Sequence, residues 1–464
     1  MTLPTLLSIY HHLPYPLRVI TASLKGYQLR WWRYGSETEK LIQKALARDY
    51  WSQKSWSEWQ NERLGYILDK AATEVPYYRD QWRERRKKGD TASWELLENW
   101  PILKKEEVRK DPKKFLCDSS KRKRMYLEHT SGSTGTPLSL WQSKKTLHNA
   151  YAIYEARVRW WHGVSLEDRW GILGGQMVVK PNATTPPFWV WNQAFNQLYL
   201  SSYHISKTNV EAYYDAIQRH QLKYILAYPS ALASLAQMIK EKNLPSYKLE
   251  LAISNAEPLF DYQKEIISQV FNCEVVNTYG VSELSVGGAE CEFGNIHLWP
   301  EYGFVEIMDV NEDKVLPVGD MGRIVATGLI NEDMPLIRYE VGDLGSLSSQ
   351  QCECSRSLPI LEEIEGRMDD VLVSIDGRRV GRMDPIFKAE IPIKEAQIIQ
   401  EKNDLVRLRF VPEDDFDHDD VLICLIQEKL GPMQVILEKV DRIPRGANGK
   451  FKAVIRNDNV KISD

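Results

Sequence analysis

The sequence has no long apolar run, few cysteines and almost no net charge, and each shortage removes a class of protein. Six cysteines in 464 residues, with no secretory signal pattern ahead of them, do not make a disulfide framework. A net charge of −4 provides no basic field for nucleic acid. Prolines at positions 4, 14 and 16 interrupt the first apolar stretch, which is too short to span a bilayer. Internal repeats and low-complexity segments are absent. A globular protein of the cytoplasm is expected, with two or three domains at this length.

What is present is aromatic and locally patterned. Fifteen tryptophans are many, and large aromatics build cores and line pockets for flat or apolar ligands. Residues 1–33 hold several aromatics and four basic residues, Arg18, Lys25, Arg30 and Arg33, but no acid. A surface helix packed on the main domain is expected over 17–33, with an interfacial membrane contact as the alternative. Residues 37–115 read as mostly helical. Strands near 224–227, 249–253 and 274–276 alternate with helices, which predicts an α/β fold with a largely parallel sheet. Short β segments over 296–345 predict an antiparallel or barrel-like part. The last stretch predicts a small α+β domain, with 406–411 alternating as a half-buried strand and 419–430 a helix.

Five segments carry candidate chemistry. Thr130, Ser131, Gly132, Ser133, Thr134, Gly135 and Thr136 form a loop whose glycines and hydroxyls can cradle phosphate oxygens. No Lys follows Gly135, so it is not the Gly-x4-Gly-Lys-Ser/Thr loop, and a plain flexible turn has the same composition. In the segment Asn277, Thr278, Tyr279, Gly280, the Tyr ring can lie against adenine, and Glu283 just beyond can reach a magnesium ion. Asp343, at a Gly turn, can accept from ribose hydroxyls or simply cap the turn. The fourth segment is Gly366, Arg367, Met368, Asp369, Asp370. The fifth holds Lys450 on a Gly-rich turn, a point charge suited to bridging a carboxylate and a phosphate.

Cys291, His297, Cys352 and Cys354 match a Cys3His tetrahedral zinc set, with two ligands from one Cys-x-Cys turn. Spacing alone also admits four unrelated side chains. The other cysteines, 117, 273 and 424, have no such partners.

In this order the five segments resemble the acyl-adenylate-forming superfamily of acyl-CoA synthetases, luciferases and peptide-synthetase adenylation domains, over about residues 125–455. The cysteine pattern resembles the phenylacetate–CoA ligase family, and 380–382, 397–400 and 443–445 resemble its CapK-type branch, associated with capsular polysaccharide loci. The resemblance implies a large adenylation domain over 1–368, with the phosphate loop at 125–140 and a β-rich part with the zinc site at 290–360. A small mobile domain follows over 369–464. It implies ATP, Mg²⁺, a structural zinc and CoA as cofactors or co-substrates.

It further implies that 130–136 wraps the ATP phosphates, although the family's usual Lys is replaced by Thr136. Asn255, Ala256, Glu257 and Pro258 would form the adenine-side segment. Asn277 would meet the adenine amino edge, Asp343 would hold the ribose with help from Arg367, and Lys450 would catalyse adenylation. Asp369 or Asp370 would be a hinge that brings the segment near Gly377 to the site. The run 380–385 departs from the family pattern, which bears on CoA as acceptor. Trp160, Trp161 and the aromatic run 187–191 are candidate acyl-pocket walls, with core as the alternative. The reaction implied is adenylation of a carboxylic acid, aryl or extended and apolar, then transfer to CoA or another acceptor. Alternatives are an amine or hydroxyl acceptor in polysaccharide biosynthesis, and AMP transfer to a hydroxyl as in deazaflavin-coenzyme adenylyltransferases.

Overall fold

The structure, a computed structural model, describes residues 6–130, 138–180, 182–367, 372–376, 379–380, 391–413, 416–446, 450–457 and 460. The first part is helical, as its charge and Trp pattern predicts: α1 (Leu6–His12), α2 (Tyr15–Arg33), α3 (Thr38–Arg48), α4 (Gln53–Glu74), α5 (Pro76–Lys87) and α6 (Lys105–Lys110). Pro at the start of α2 and α5 costs nothing, because the first N–H groups of a helix have no internal partner. Among the described residues, no helix is long and apolar enough to cross a membrane.

Strands β1 (Tyr126–His129) and β2 (Ser139–Gln142) form an antiparallel ribbon, and α7 (Lys144–Tyr154) follows. The ribbon's two strands flank the phosphate-loop segment. Thr130 ties its ends: its Oγ1 accepts from the Leu138 N–H at 3.0 Å and its own N–H donates to the Leu138 carbonyl. Ser131, Gly132, Ser133, Thr134, Gly135 and Thr136 lie outside the described residues.

A twelve-stranded sheet then dominates. Its parallel half comprises β3 (Trp170–Gly174), β5 (Gln197–Ser201), β6 (Tyr224–Ala227), β7 (Leu251–Ser254) and β8 (Glu274–Gly280), with β4 (Trp189–Asn192) antiparallel at one edge. Strands β3, β5, β6 and β7 are buried almost throughout, as fully covered parallel strands are. Helices α8 (Val210–Arg219), α9 (Pro229–Glu241) and α10 (Asp261–Phe271) connect them.

The other half is antiparallel: β9 (Gly287–Glu290), β10 (Ile296–Leu298), β11 (Gly303–Met308), β12 (Gly322–Gly328), β13 (Tyr339–Leu347) and β14 (Ile360–Arg367). The sequence pattern led to an antiparallel or barrel-like part; the structure joins it to the parallel strands in one sheet. The join is β8. Its first residues pair parallel with β7 up to Asn277, and Thr278, Tyr279 and Gly280 pair antiparallel with β9.

A second unit follows, with the ribbon β15 (Leu372–Val373) and β16 (Arg379–Val380). Its sheet holds β17 (Ile393–Lys402), β18 (Leu405–Pro412), β19 (Gln434–Lys439) and β20 (Val454–Arg456) in the order β19-β18-β17-β20, with α11 (Asp419–Leu430) alongside. Val406, Leu408 and Phe410 of β18 are fully buried while Arg407 and Arg409 face out, the alternation expected of a half-buried strand. Leu422 and Ile426 of α11 close this separate core. The expected boundary at 368–369, the hinge candidates Asp369 and Asp370, Gly377 and the departure after Val380 lie outside the described residues.

Candidate active site

The carboxyl ends of β6, β7 and β8 open into a cavity of about 2310 Å³, larger than a single small-molecule pocket. At the carboxyl ends of neighbouring parallel strands, backbone groups and loops are free to meet a ligand. Thr130, Asn255, Ala256, Glu257, Pro258, Asn277, Thr278, Tyr279, Gly280, Glu283, Asp343 and Lys450 all line this one space. They come from five separate stretches of chain, so only folding brings them together.

The β8 wall is held from behind. Thr278 Oγ1 donates to the Ser254 carbonyl at 2.6 Å, and Ser254 Oγ donates to Asn277 Oδ1 at 3.2 Å. The Asn277 N–H donates to Glu290 Oε2 at 2.7 Å, and Lys264 neutralises Glu290 at 2.6 Å. The Tyr279 hydroxyl donates to Asp343 Oδ2 at 2.9 Å. Burial, and then the Asp343 charge, push the Tyr279 phenol well above its ordinary pKa, so it stays a donor. Gly342 sits at φ +94, where a side chain would be strained, and that turn presents Asp343. Arg367 pairs with Asp343 across the β13–β14 ladder.

Glu283 is buried and doubly fixed on Oε1, by the Tyr339 hydroxyl at 2.7 Å and by Lys105 Nζ at 3.0 Å. Nothing in the sequence singles out Lys105, which stands in a charge-rich run resembling any solvated helix start. It reaches the site because β13 is clamped to the segment before α6. The Leu103 N–H donates to Arg338 O, and the Glu340 N–H donates to Leu103 O. Arg338, itself at φ +46, is locked by both Glu306 oxygens at 3.0 Å.

Lys450 belongs to the second unit yet lines the cavity, its Nζ 6.0 Å from the centre of the Tyr228 ring. The adjoining Phe451 N–H donates to Glu257 Oε1 at 2.5 Å, and the Ser230 N–H donates to Glu257 Oε2 at 3.3 Å. Burial holds the Glu257 carboxyl above the usual carboxylate range despite those donors. The cavity is also walled by Tyr34, Tyr151, Tyr154, Trp170 and Tyr302, with Arg159 buried among them and paired to Glu155 at 2.6 Å.

Trp160 and Trp161 are not in this wall. Trp161 packs edge-on against His297 at 6.0 Å and its indole N–H donates to Asp49 at 2.9 Å. Of the 187–191 run, Val190 lines the cavity and Phe188 is core.

The Cys/His set does come together. One ligand atom from each of Cys291, His297, Cys352 and Cys354 lies within 4.8 Å of all the others. Cys291 Sγ and Cys352 Sγ are 3.6 Å apart, and His297 Nε2 is 3.3 Å from Cys354 Sγ. Two thiolates on one tetrahedral zinc would stand about 3.8 Å apart. The His297 Nδ1–H donates to the Leu358 carbonyl at 3.2 Å, which fixes the ring with Nε2 toward the thiols. Cys117, Cys273 and Cys424 lie elsewhere.

Comparison with known proteins agrees with this architecture. Residues 57–330 match the AMP-binding enzyme family model, and residues 372–457 match the CapK C-terminal domain model. The chain is 24% identical to Protein CapK of Staphylococcus aureus, across 97% of this chain and 99% of that protein. It is 26% identical to phenylacetate-coenzyme A ligase of Pseudomonas putida, across 68% of this chain and 71% of that enzyme. Among solved structures, 2-hydroxyisobutyryl-CoA ligase in its post-adenylation state superposes with a TM-score of 0.69 at 18% identity, covering 89% of this chain and 91% of that one. In its thioesterification state the same ligase gives 0.56. With its adenylation-type cavity built on the sheet's switch strand and its small C-terminal domain contributing Lys450, this chain belongs to the AMP-binding enzyme family.

Proposed function

We propose that this enzyme adenylates a carboxylic acid with ATP, releasing pyrophosphate, and then passes the acyl group to CoA, releasing AMP. The observation that carries it is Lys450 of the small domain lining the same cavity as Tyr279, Asp343 and Glu283 of the large one. Carboxylate and triphosphate are both anions, so the barrier is one of charge and alignment. The acid's oxygen attacks the α-phosphorus, the bond to the bridging oxygen breaks, and pyrophosphate leaves. In this reading Tyr279 carries adenine, Asn277 its amino edge and Asp343 the ribose. Lys450 spans carboxylate and α-phosphate as negative charge gathers there, a role worth roughly 10²–10³ in rate.

Mg²⁺ would be held by Glu283, a carboxylate already aimed by Tyr339 and Lys105, and would neutralise phosphate charge. Zinc would be held by Cys291, His297, Cys352 and Cys354, and four protein ligands make that role structural. The aromatic walls favour an aryl or extended apolar acid. ATP and CoA as co-substrates argue for the cytoplasm.

Acid-dependent pyrophosphate exchange across a panel of carboxylic acids tests the proposal. Exchange with at least one acid is expected, and AMP should accumulate only once CoA is added. An enzyme that binds ATP but exchanges with no acid would overturn it. AMP release with an amino or hydroxyl sugar in place of CoA would support the polysaccharide acceptor. AMP retained in the product would support transfer to a hydroxyl.

A further inference from the structure

Helix α2 is asymmetric in a way the active site does not explain. Its inner face packs on β4 so closely at Gly26 that a Cβ would meet Asn192 Oδ1 at 2.1 Å. Ala22, Gly26, Leu29 and Arg33 on this side line the cavity. The opposite face carries Leu17, Ile20, Leu24, Tyr27 and Trp31, exposed by between 44% for Leu17 and 66% for Leu24. Their spacing alternates three and four, which sets them in one arc of about 80°. Leu7 and Ile9 of α1 and Met177 are exposed beside it and also line the cavity, so the apolar face runs into the cavity's rim. A continuous apolar surface of this kind marks an interaction site.

Charge identifies what covers it. Residues 1–33 hold no acid. Lys144 Nζ stands 3.9 Å from the Trp31 ring centre. Trp32 packs on Tyr126 at 5.8 Å, which brings the exposed basic run 121–124 to the same end of α2. Arg30 is taken by Glu167 at 2.5 Å, and Lys25, exposed at the cavity's rim, donates to Gln28 at 2.9 Å. A second copy seated on this face would set like charges against each other. An anionic bilayer accepts the apolar arc, the Tyr and Trp rings and the basic border together.

We propose that the outer face of α1 and α2 docks on an anionic lipid surface, and that an acid with an extended apolar chain enters the cavity from that surface. The docking half stands on its own; the entry half rests on the ligase reading above.

Co-sedimentation with phosphatidylcholine vesicles, with and without ~30 mol% phosphatidylglycerol, tests the docking. The enzyme should pellet with the anionic vesicles. High salt, or the double variant Leu24→Glu/Trp31→Glu, should each cut the bound fraction by about 5-fold or more. Neither residue lines the cavity, so exchange with a soluble acid should be unchanged in the variant. An enzyme that stays in the supernatant, or a variant that pellets equally, overturns the docking. So does a dimer broken by the same variant with no vesicle binding. Anionic vesicles should raise exchange with a long-chain fatty acid and leave a short aryl acid unaffected; equal responses overturn the entry route alone. Docking without exchange on any acid counts against the ligase reading instead.

Discussion

Tyr279 Oη donates a hydrogen bond of 2.9 Å to Asp343 Oδ2, so the residue proposed to carry adenine is tied to the residue proposed to hold the ribose. The bond crosses from β8 to β13, two strands whose sequence positions are 64 apart. Tyr279→Phe should keep the ring and lose the bond. The expected outcome is a KM for ATP raised roughly 3–10-fold with kcat little changed, about the net worth of one ordinary hydrogen bond. Steady-state kinetics with ATP varied would show it, and an unchanged KM would remove the coupling.

Lys450→Ala should lower pyrophosphate exchange by about 10²–10³ while ATP binding, measured by calorimetry, stays within a few-fold. Acyl transfer from a supplied acyl-adenylate should survive, because the proposed role of Lys450 ends with the first half-reaction. Wild-type exchange would refute the assignment.

Lys105→Ala should raise the magnesium requirement of exchange by changing the partner of Glu283, and Tyr339→Phe should act in the same direction. Both change one of the two donors on Glu283 Oε1. A magnesium titration indistinguishable from wild type in both variants would separate Glu283 from the metal.

Enzyme purified without chelator should contain one zinc per chain by elemental analysis. Cys352→Ser should release it and lower Tm, since a structural zinc adds its binding free energy to folding. A protein free of zinc, with Tm indifferent to chelator, would leave the four side chains as a buried polar cluster.

Burial raises the Glu257 carboxyl, so the folded chain binds that proton more tightly than the unfolded one. Stability from this group is therefore greatest below the ordinary carboxylate pKa and falls as pH rises through the raised one. As pH rises above the ordinary carboxylate range, wild type should lose stability relative to Glu257→Gln. Parallel denaturation curves would exclude this coupling of the Phe451 contact to pH.

The sequence by itself determined the element types and the chemical inventory. The alternation of β18, the apolar strands of the parallel half, the Cys-x-Cys turn and the order of the candidate segments are local patterns, set by backbone periodicity and residue chemistry. Tertiary structure decided the rest. Trp160 and Trp161 read equally as pocket or core, and packing turned Trp161 toward His297. Lys105 looked like one solvated charge among several until the clamp between Leu103 and β13 placed it on Glu283. The antiparallel strands looked separable, yet β8 changes partner direction midway and makes one sheet of both halves. In α2 the sequence shows an aromatic, acid-free helix, but only its packing on β4 decides which side meets the cavity and which meets the surroundings. Periodicity fixes what a segment is; which neighbour it meets depends on contacts hundreds of residues apart, and those exist only in the folded chain.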